Sequence, residues 1–246
     1  MRRHGFAVTF AATMVLLWGS AQAQVPGQFV SDSKTGCKFW WPEKIFAQVV
    51  SFRWNGACAA GLASGRATFE SVQKYSDGTL VTWTGEGDAV GGKLTGRAFI
   101  VSSVGNRTEG EYKDGVLNGR GFFSRQTKTV TERCDGAFRN GKQEGTGVCD
   151  KQLIVFSNEP PSIIHEQGEY ADGKLVKGIL SERIQGCAKE ERYEGEFADN
   201  AFNGRGTLKA ADGTVYSGIW HDGKITINGR LIGRSDIRGV ESACGF

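Results

Sequence analysis

Proline is nearly missing from this chain, with four residues in 246. A polyproline or collagen-like rod is thereby excluded, since it also needs a strict Gly-X-Y period that is not present. No CxxC occurs among the six cysteines, so neither a zinc ribbon nor a thioredoxin-type redox motif is supported. Histidine is scarce: beyond the first 23 residues there are only His165 and His221. Neither sits in HxxxH or HExxH or has a Gly-x-Ser-x-Gly partner. Gly85-Glu86-Gly87 lacks the Lys-Ser/Thr ending and the helix of a phosphate loop. No apolar run reaches the ~20 residues that a membrane-spanning helix needs. No Lys/Arg cluster is present, which argues against nucleic acid.

What is present begins with a leader. Met1-Arg2-Arg3-His4 is basic, Phe6 to Trp18 is mostly apolar, and Ser20-Ala21-Gln22-Ala23 ends in small residues. This reads as a secretory signal peptide over 1–23, with cleavage expected after Ala23. Arg2 and Arg3 supply two of the three net positive charges, so the remainder is nearly balanced at +1. An exported chain with an even number of cysteines reads as a disulfide framework. The expected compartment is the periplasm or the extracellular space.

Glycine is the dominant feature: 36 residues, roughly twice the usual ~7% share. Such a load excludes long helices, where each Gly costs ~1 kcal/mol. The 39% hydrophobic and 11% aromatic content argues against disorder. The glycines fall in register. Units start at Gly56, Gly85, Gly110, Gly136, Gly168, Gly195 and Gly218, and the first two copies are degenerate. From the third copy on, an aromatic follows two residues later: Tyr112, Phe138, Tyr170, Phe197 and Trp220. An Asp/Asn/Gly turn comes next, then a Gly-x-Gly return such as Gly119-Arg120-Gly121 or Gly204-Arg205-Gly206.

Each unit reads as a β-hairpin, with Tyr193, Gly195 and Phe197 on one face and Glu194 and Glu196 on the other. The spacing implies a loop longer than two residues, so register is expected to come from packing as well. A lone hairpin is barely stable in water, so hairpins must stack. The fold class expected is all-β: an elongated single-sheet antiparallel meander of stacked hairpins. The strand glycines are expected to let rings from neighbouring units lie close to the backbone. The aromatic column Tyr112, Phe138, Tyr170, Phe197 and Trp220 is expected to be the packing ridge.

With Phe138 set opposite Gly145, Cys134 falls opposite Cys149, close enough to bridge. Residues 24–50 are non-repetitive and are expected to cap the solenoid, tethered by Cys37–Cys58. Cys187–Cys244 remains by elimination, and the tail 234–246 is expected at the other end. The same register sets Glu86 opposite Arg97, Glu111 opposite Arg120 and Glu196 opposite Arg205, as cross-strand ion pairs. Trp40 and Trp41 read either as cap packing or as an exposed binding patch.

Tyr193-Glu194-Gly195-Glu196-Phe197 followed by Gly204-Arg205-Gly206 resembles the MORN repeat, and the likeness extends over about 51–233. The resemblance implies a single-sheet hairpin solenoid and links to protein–protein contact, dimerisation and phospholipid binding. It implies no single activity. The expected function is therefore a non-enzymatic exported scaffold that binds a protein partner. The alternative is a lipid- or cell-wall-glycan-binding module using the aromatic and basic surface of the repeats. No catalytic residue, metal site or cofactor is expected, and the chain is not expected to span a membrane.

Overall fold

The computed structural model describes residues 25–42, 47–154 and 160–233, with 236, 237, 239, 240, 244 and 245 of the tail. The expected leader over 1–23 lies outside the described residues, as do Asn158 and Glu159 of the longest insertion. All 18 described strands belong to one sheet. The first two, β1 (Gly27–Ser31) and β2 (Lys38–Pro42), form an antiparallel cap hairpin. Then come β3 (Ala47–Trp54), β4 (Ala57–Ala59), β5 (Leu62–Tyr75), β6 (Leu80–Val90), β7 (Lys93–Ser102) and β8 (Arg107–Lys113). The meander continues through β9 (Val116–Gln126), β10 (Val130–Arg139), β11 (Lys142–Leu153), β12 (Ser162–Ala171) and β13 (Lys174–Ile184). It ends with β14 (Glu190–Ala198), β15 (Ala201–Lys209), β16 (Val215–His221), β17 (Lys224–Ile227) and β18 (Arg230–Gly233). From β5 onward each strand pairs antiparallel with the next.

The turns differ from the expected long loop. Lys113 pairs with Val116, Arg139 with Lys142 and Ala171 with Lys174, which leaves two residues in each loop. Asp114 (φ 52°) and Gly115 (φ 87°) both take the positive φ of a type I′ turn. Asp199 and Asn200 do the same in the copy that lacks the turn glycine, because Asn tolerates this region. Successive turns are tied together: the Gly115 N–H donates to the Leu94 carbonyl, Gly141 to Leu117 and Gly173 to Gln143.

The extra residues sit in the returning strand as bulges. Gly195 pairs with Gly206 but Glu196 pairs with Asn203, so Gly204 and Arg205 bulge out. Likewise Gly136 pairs with Gly147, whereas Phe138 faces Gln143 instead of Gly145. Cys134 nevertheless faces Cys149, because that pair lies on the far side of the bulge.

This geometry overturns the expected ion pairs. Glu86 faces Phe99 and forms its ion pair with Arg66 at 2.8 Å, not with Arg97. Arg97 faces Glu111 of the next hairpin, Arg120 faces Ala137, and Arg205 faces Ile219. Glu196 faces Lys177 of the preceding strand. The carboxyl groups of Glu111 and Glu196 lie over the bulge glycines Gly119 and Gly204, where any side chain would overlap them. In these two copies the Glu side chain fills the space that the glycine leaves.

One consequence is a continuous row of glycines across nine strands, from Gly110 on β8 to Gly218 on β16. At Gly168 and Gly178 the row admits no other residue. Their φ angles are 157° and 148°, and a Cβ on Gly178 would overlap the Gln167 carbonyl oxygen.

The column residues Tyr112, Phe138, Tyr170, Phe197 and Trp220 are all buried on the inner face. The inner face holds two hydrophobic clusters. The N-terminal one gathers Phe39 and Trp41 of the cap with Phe52, Trp54, Phe69, Trp83, Tyr112 and Phe138. The C-terminal one gathers Tyr170, Tyr193, Phe197, Phe202, Leu208 and Trp220, with Ile237 of the tail. Phe123 packs against both. The ring over Gly206 comes from Tyr193 of the same hairpin, not from a neighbouring unit. Trp220 of the next strand donates its indole N–H to the Gly206 carbonyl at 3.1 Å. Three disulfides join Cys37–Cys58, Cys134–Cys149 and Cys187–Cys244.

Candidate functional site

Concave sites lie on both faces of the first half of the sheet. One on the outer face crosses β7–β10 over the backbone at Gly110 and Gly121. Its volume is about 440 Å³, and its walls carry Arg97, Arg107, Arg120 and Arg133 with Glu109, Asp135 and Phe122. Sheet alternation puts these residues on the solvent side. The Arg107 guanidinium lies 5.1 Å from the Phe99 ring centre and 5.9 Å from that of Phe122, and Arg133 lies 4.9 Å from Phe122. Arg107 also pairs with Glu109. Four guanidinium groups against two carboxylates make the groove electropositive, and its stacked rings favour planar, anionic surfaces.

The inner site lies between the cap and the sheet. It has a volume of about 400 Å³ and no charged residue on its wall. Seven aromatic residues line it: Phe39, Trp40, Trp41, Trp83, Tyr112, Phe123 and Phe138. Leu94, Ile100, Val116 and Leu117 complete the apolar wall. Trp40 and Trp41 are only 8% and 5% exposed, so they wall a cavity and form no exposed patch. Trp40 is wedged against Gly27 and Gly115, and Lys93 stands 5.8 Å over its ring. The indole N–H of Trp41 has no hydrogen-bond partner. Burial pushes the Tyr112 hydroxyl up to about 12, against a smaller opposing effect of its Thr108 hydrogen bond, so this residue is neutral.

Asp32 holds the cap in place. Its Oδ1 accepts from the Lys34 and Thr35 backbone N–H groups at 2.8 and 2.7 Å, and its Oδ2 accepts from Trp54 N–H at 2.7 Å. Burial pushes its carboxyl up, but the backbone hydrogen bonds outweigh this and hold it at about 2. Cap β2 also follows the line of tight turns: Lys38 N–H donates to the Gly61 carbonyl and Trp40 N–H to the Gly92 carbonyl. Sequence reasoning missed Asp32, although Asp32-Ser33-Lys34-Thr35-Gly36 has an Asx-turn composition.

Between the two clusters the inner face turns ionic. Arg125 pairs with Glu132 at 2.8 Å, and Lys151 pairs with Glu166 at 2.7 Å and with Glu132 at 4.0 Å. Tyr170 donates to Glu166 at 3.3 Å. Burial, and then the Glu166 charge, push the Tyr170 hydroxyl far up. Scattered spacing in the sequence hid this network.

His165 pairs with the exposed Asp150 at 2.8 Å, and His221 borders the Asp222–Gly223 turn. Among the described residues no group of three or more His, Cys, Asp or Glu stands close enough to hold a metal. No helix among them is long and apolar enough to cross a membrane.

A single sheet of hairpins with coupled turns, bulges and a glycine row defines a single-sheet repeat protein. The repeat is a known one. The MORN repeat family matches residues 109–130, 134–151, 193–215 and 216–226, so MORN repeats lie within residues 109–226. No curated protein matches the chain.

Proposed function

We propose that this chain is an exported, non-enzymatic scaffold that binds an acidic protein segment on the outer face of its repeats. The arginine groove across β7–β10 carries this reading. It is open to solvent and carries an excess of positive charge. The scaffold holds the groove rigid through its coupled turns, so little ordering is needed on binding. Three disulfides and the leader sequence support export to an oxidising compartment.

The test is photocrosslinking from position 122 in envelope extract, against a control at Ser217 on the same face. Capture of one protein at Phe122 only, saturable and competed by unlabelled chain, is the expected result. Competition should fail with the Arg97→Glu/Arg120→Glu variant. Equal competition by that variant refutes the groove. Fractionation checks export: the expected form begins after Ala23 outside the cytoplasm.

A second reading gives the same groove an anionic cell-wall glycan or lipid head group. The partly exposed rings of Phe99 and Phe122, stacked with arginines, favour it. Peptidoglycan pelleting and liposome flotation, lost in the charge-reversed variant, would select it over a protein partner.

A further inference from the structure

A second concave site adjoins the arginine groove on the outer face, and its charge balance is the opposite one. It lies over β3, β5, β6 and β7, with a volume of about 560 Å³. Its walls carry Arg53, Glu70 and Glu86, with the polar side chains of Asn55, Thr68 and Thr84. Arg53 reaches the buried Asp32 at 3.5 Å, and Glu86 pairs with Arg66 at 2.8 Å. Glu70 makes no ion pair among the described residues, so it is the free charge of this site. In the arginine groove the free charges are positive. Arg107 pairs with Glu109, while Arg97, Arg120 and Arg133 make no ion pair and stand against one unpaired carboxylate, Asp135.

The two sites meet at Phe99. Its exposed ring lines the second site, and Arg107 of the groove lies 5.1 Å from the ring centre. Strand register sets the distance between the charges. Glu70 faces Thr84, Thr84 faces Val101 and Val101 faces Arg107, so Glu70 and Arg107 lie in one row three strands apart. That is about 14 Å, or about four residues of extended chain.

We infer that the acidic segment held by the groove continues past Phe99 and sets a lysine against Glu70, about four residues from its acidic stretch. This rests on the groove reading above and gives that partner charges of both signs in a fixed order. A wholly acidic segment spanning both sites would bring a carboxylate against Glu70, where like charges repel. An ammonium is a compact group with three donors, and here it meets the Glu70 carboxylate flanked by the Thr68 and Thr84 hydroxyls. An arginine would gain most by stacking, and Arg107 already stands at the Phe99 ring.

The experiment uses the oxidised chain lacking residues 1–23 and end-blocked peptides, titrated by calorimetry at low salt. KSGSEEEE and EEEESGSK cover both chain directions, and QSGSEEEE and EEEESGSQ are their controls. In one direction the lysine peptide should bind about 3-fold tighter than its glutamine control, the scale of one exposed ion pair. Glu70→Gln should bring that ratio to one. Thr84→Lys, which gives Glu70 an ammonium from the chain itself, should do the same. Arg97→Glu/Arg120→Glu should weaken all four peptides at least 10-fold. Equal affinity of lysine and glutamine peptides in both directions overturns the inference and leaves the groove standing. A ratio unchanged in Glu70→Gln overturns it likewise. Failure of all four peptides to bind the unaltered chain overturns the groove reading as well.

Discussion

The two halves of this sheet cover their inner faces by different means. In the first half a separate hairpin, β1–β2, is laid over the repeats and brings Phe39 and Trp41 into the core. In the second half the repeats supply their own cover. Tyr193 stacks on Phe202 at 3.8 Å and meets Trp220 edge-on at 5.7 Å. The tail adds Ile237, and Cys187–Cys244 anchors it. Rings that arise from a repeating pattern fit one another, because each unit presents the same geometry to the next. A cap from outside the repeat has to match a surface it did not shape, and here it leaves a cavity. The lesson is that packing within the repeats fills the inner face closely, while a cap from outside the repeat leaves space beneath it.

The comparison yields a ranked set of tests. Tyr193→Ala should have the largest effect, a loss of ~4 kcal/mol in urea unfolding, because it deletes a fully buried ring at the centre of the second cluster. A loss below 1 kcal/mol would show that the second half is not held by this stack. Opening Cys187–Cys244 should cost roughly 4 kcal/mol, against roughly 3 for Cys37–Cys58, because the bridged segment is 57 rather than 21 residues. Paired Cys→Ser variants compared by thermal melting check the order. Gly178→Ala should cost ~3 kcal/mol, since it meets both a forbidden φ and a backbone overlap.

A smaller effect separates the halves by pH. The Asp32 carboxyl is held at about 2 in the fold, below its ordinary 3.8. Its contribution is therefore complete above pH 3.8 and is lost as pH falls towards 2. Fluorescence of Trp40 and Trp41 should report loosening of the cap in that window, before Trp220 responds. In Asp32→Asn this transition should vanish and the cap should be weaker at neutral pH. The smallest effect belongs to the surface. Removing Lys142, which pairs with the exposed Asp172, should leave the unfolding midpoint unchanged, as urea titration of Lys142→Ala would show.

Much of the fold was readable from residue order. Glycine spacing marked the hairpins, because strand, turn and bulge each need a residue without a side chain at a set position. The opposition of Cys134 and Cys149 followed from alternation, which survives wherever no bulge intervenes. The charge pairs did not follow. Gly204 and Arg205 leave the ladder as a bulge, and spacing alone does not separate a long loop from a bulge. The arginine groove was equally hidden: Arg97, Arg107, Arg120 and Arg133 lie on four different strands.

By itself, then, the sequence determined the kind of molecule. Glycines at recurrent positions and Asp/Asn-Gly pairs specify hairpins through local backbone sterics, which act within a few residues. Even the family likeness rests on that local code. Only the tertiary structure decided where the bulges fall, which charges meet, and that Trp40 and Trp41 face inward. Those outcomes depend on contacts between strands far apart in the chain, where packing and register override what neighbours in sequence prefer.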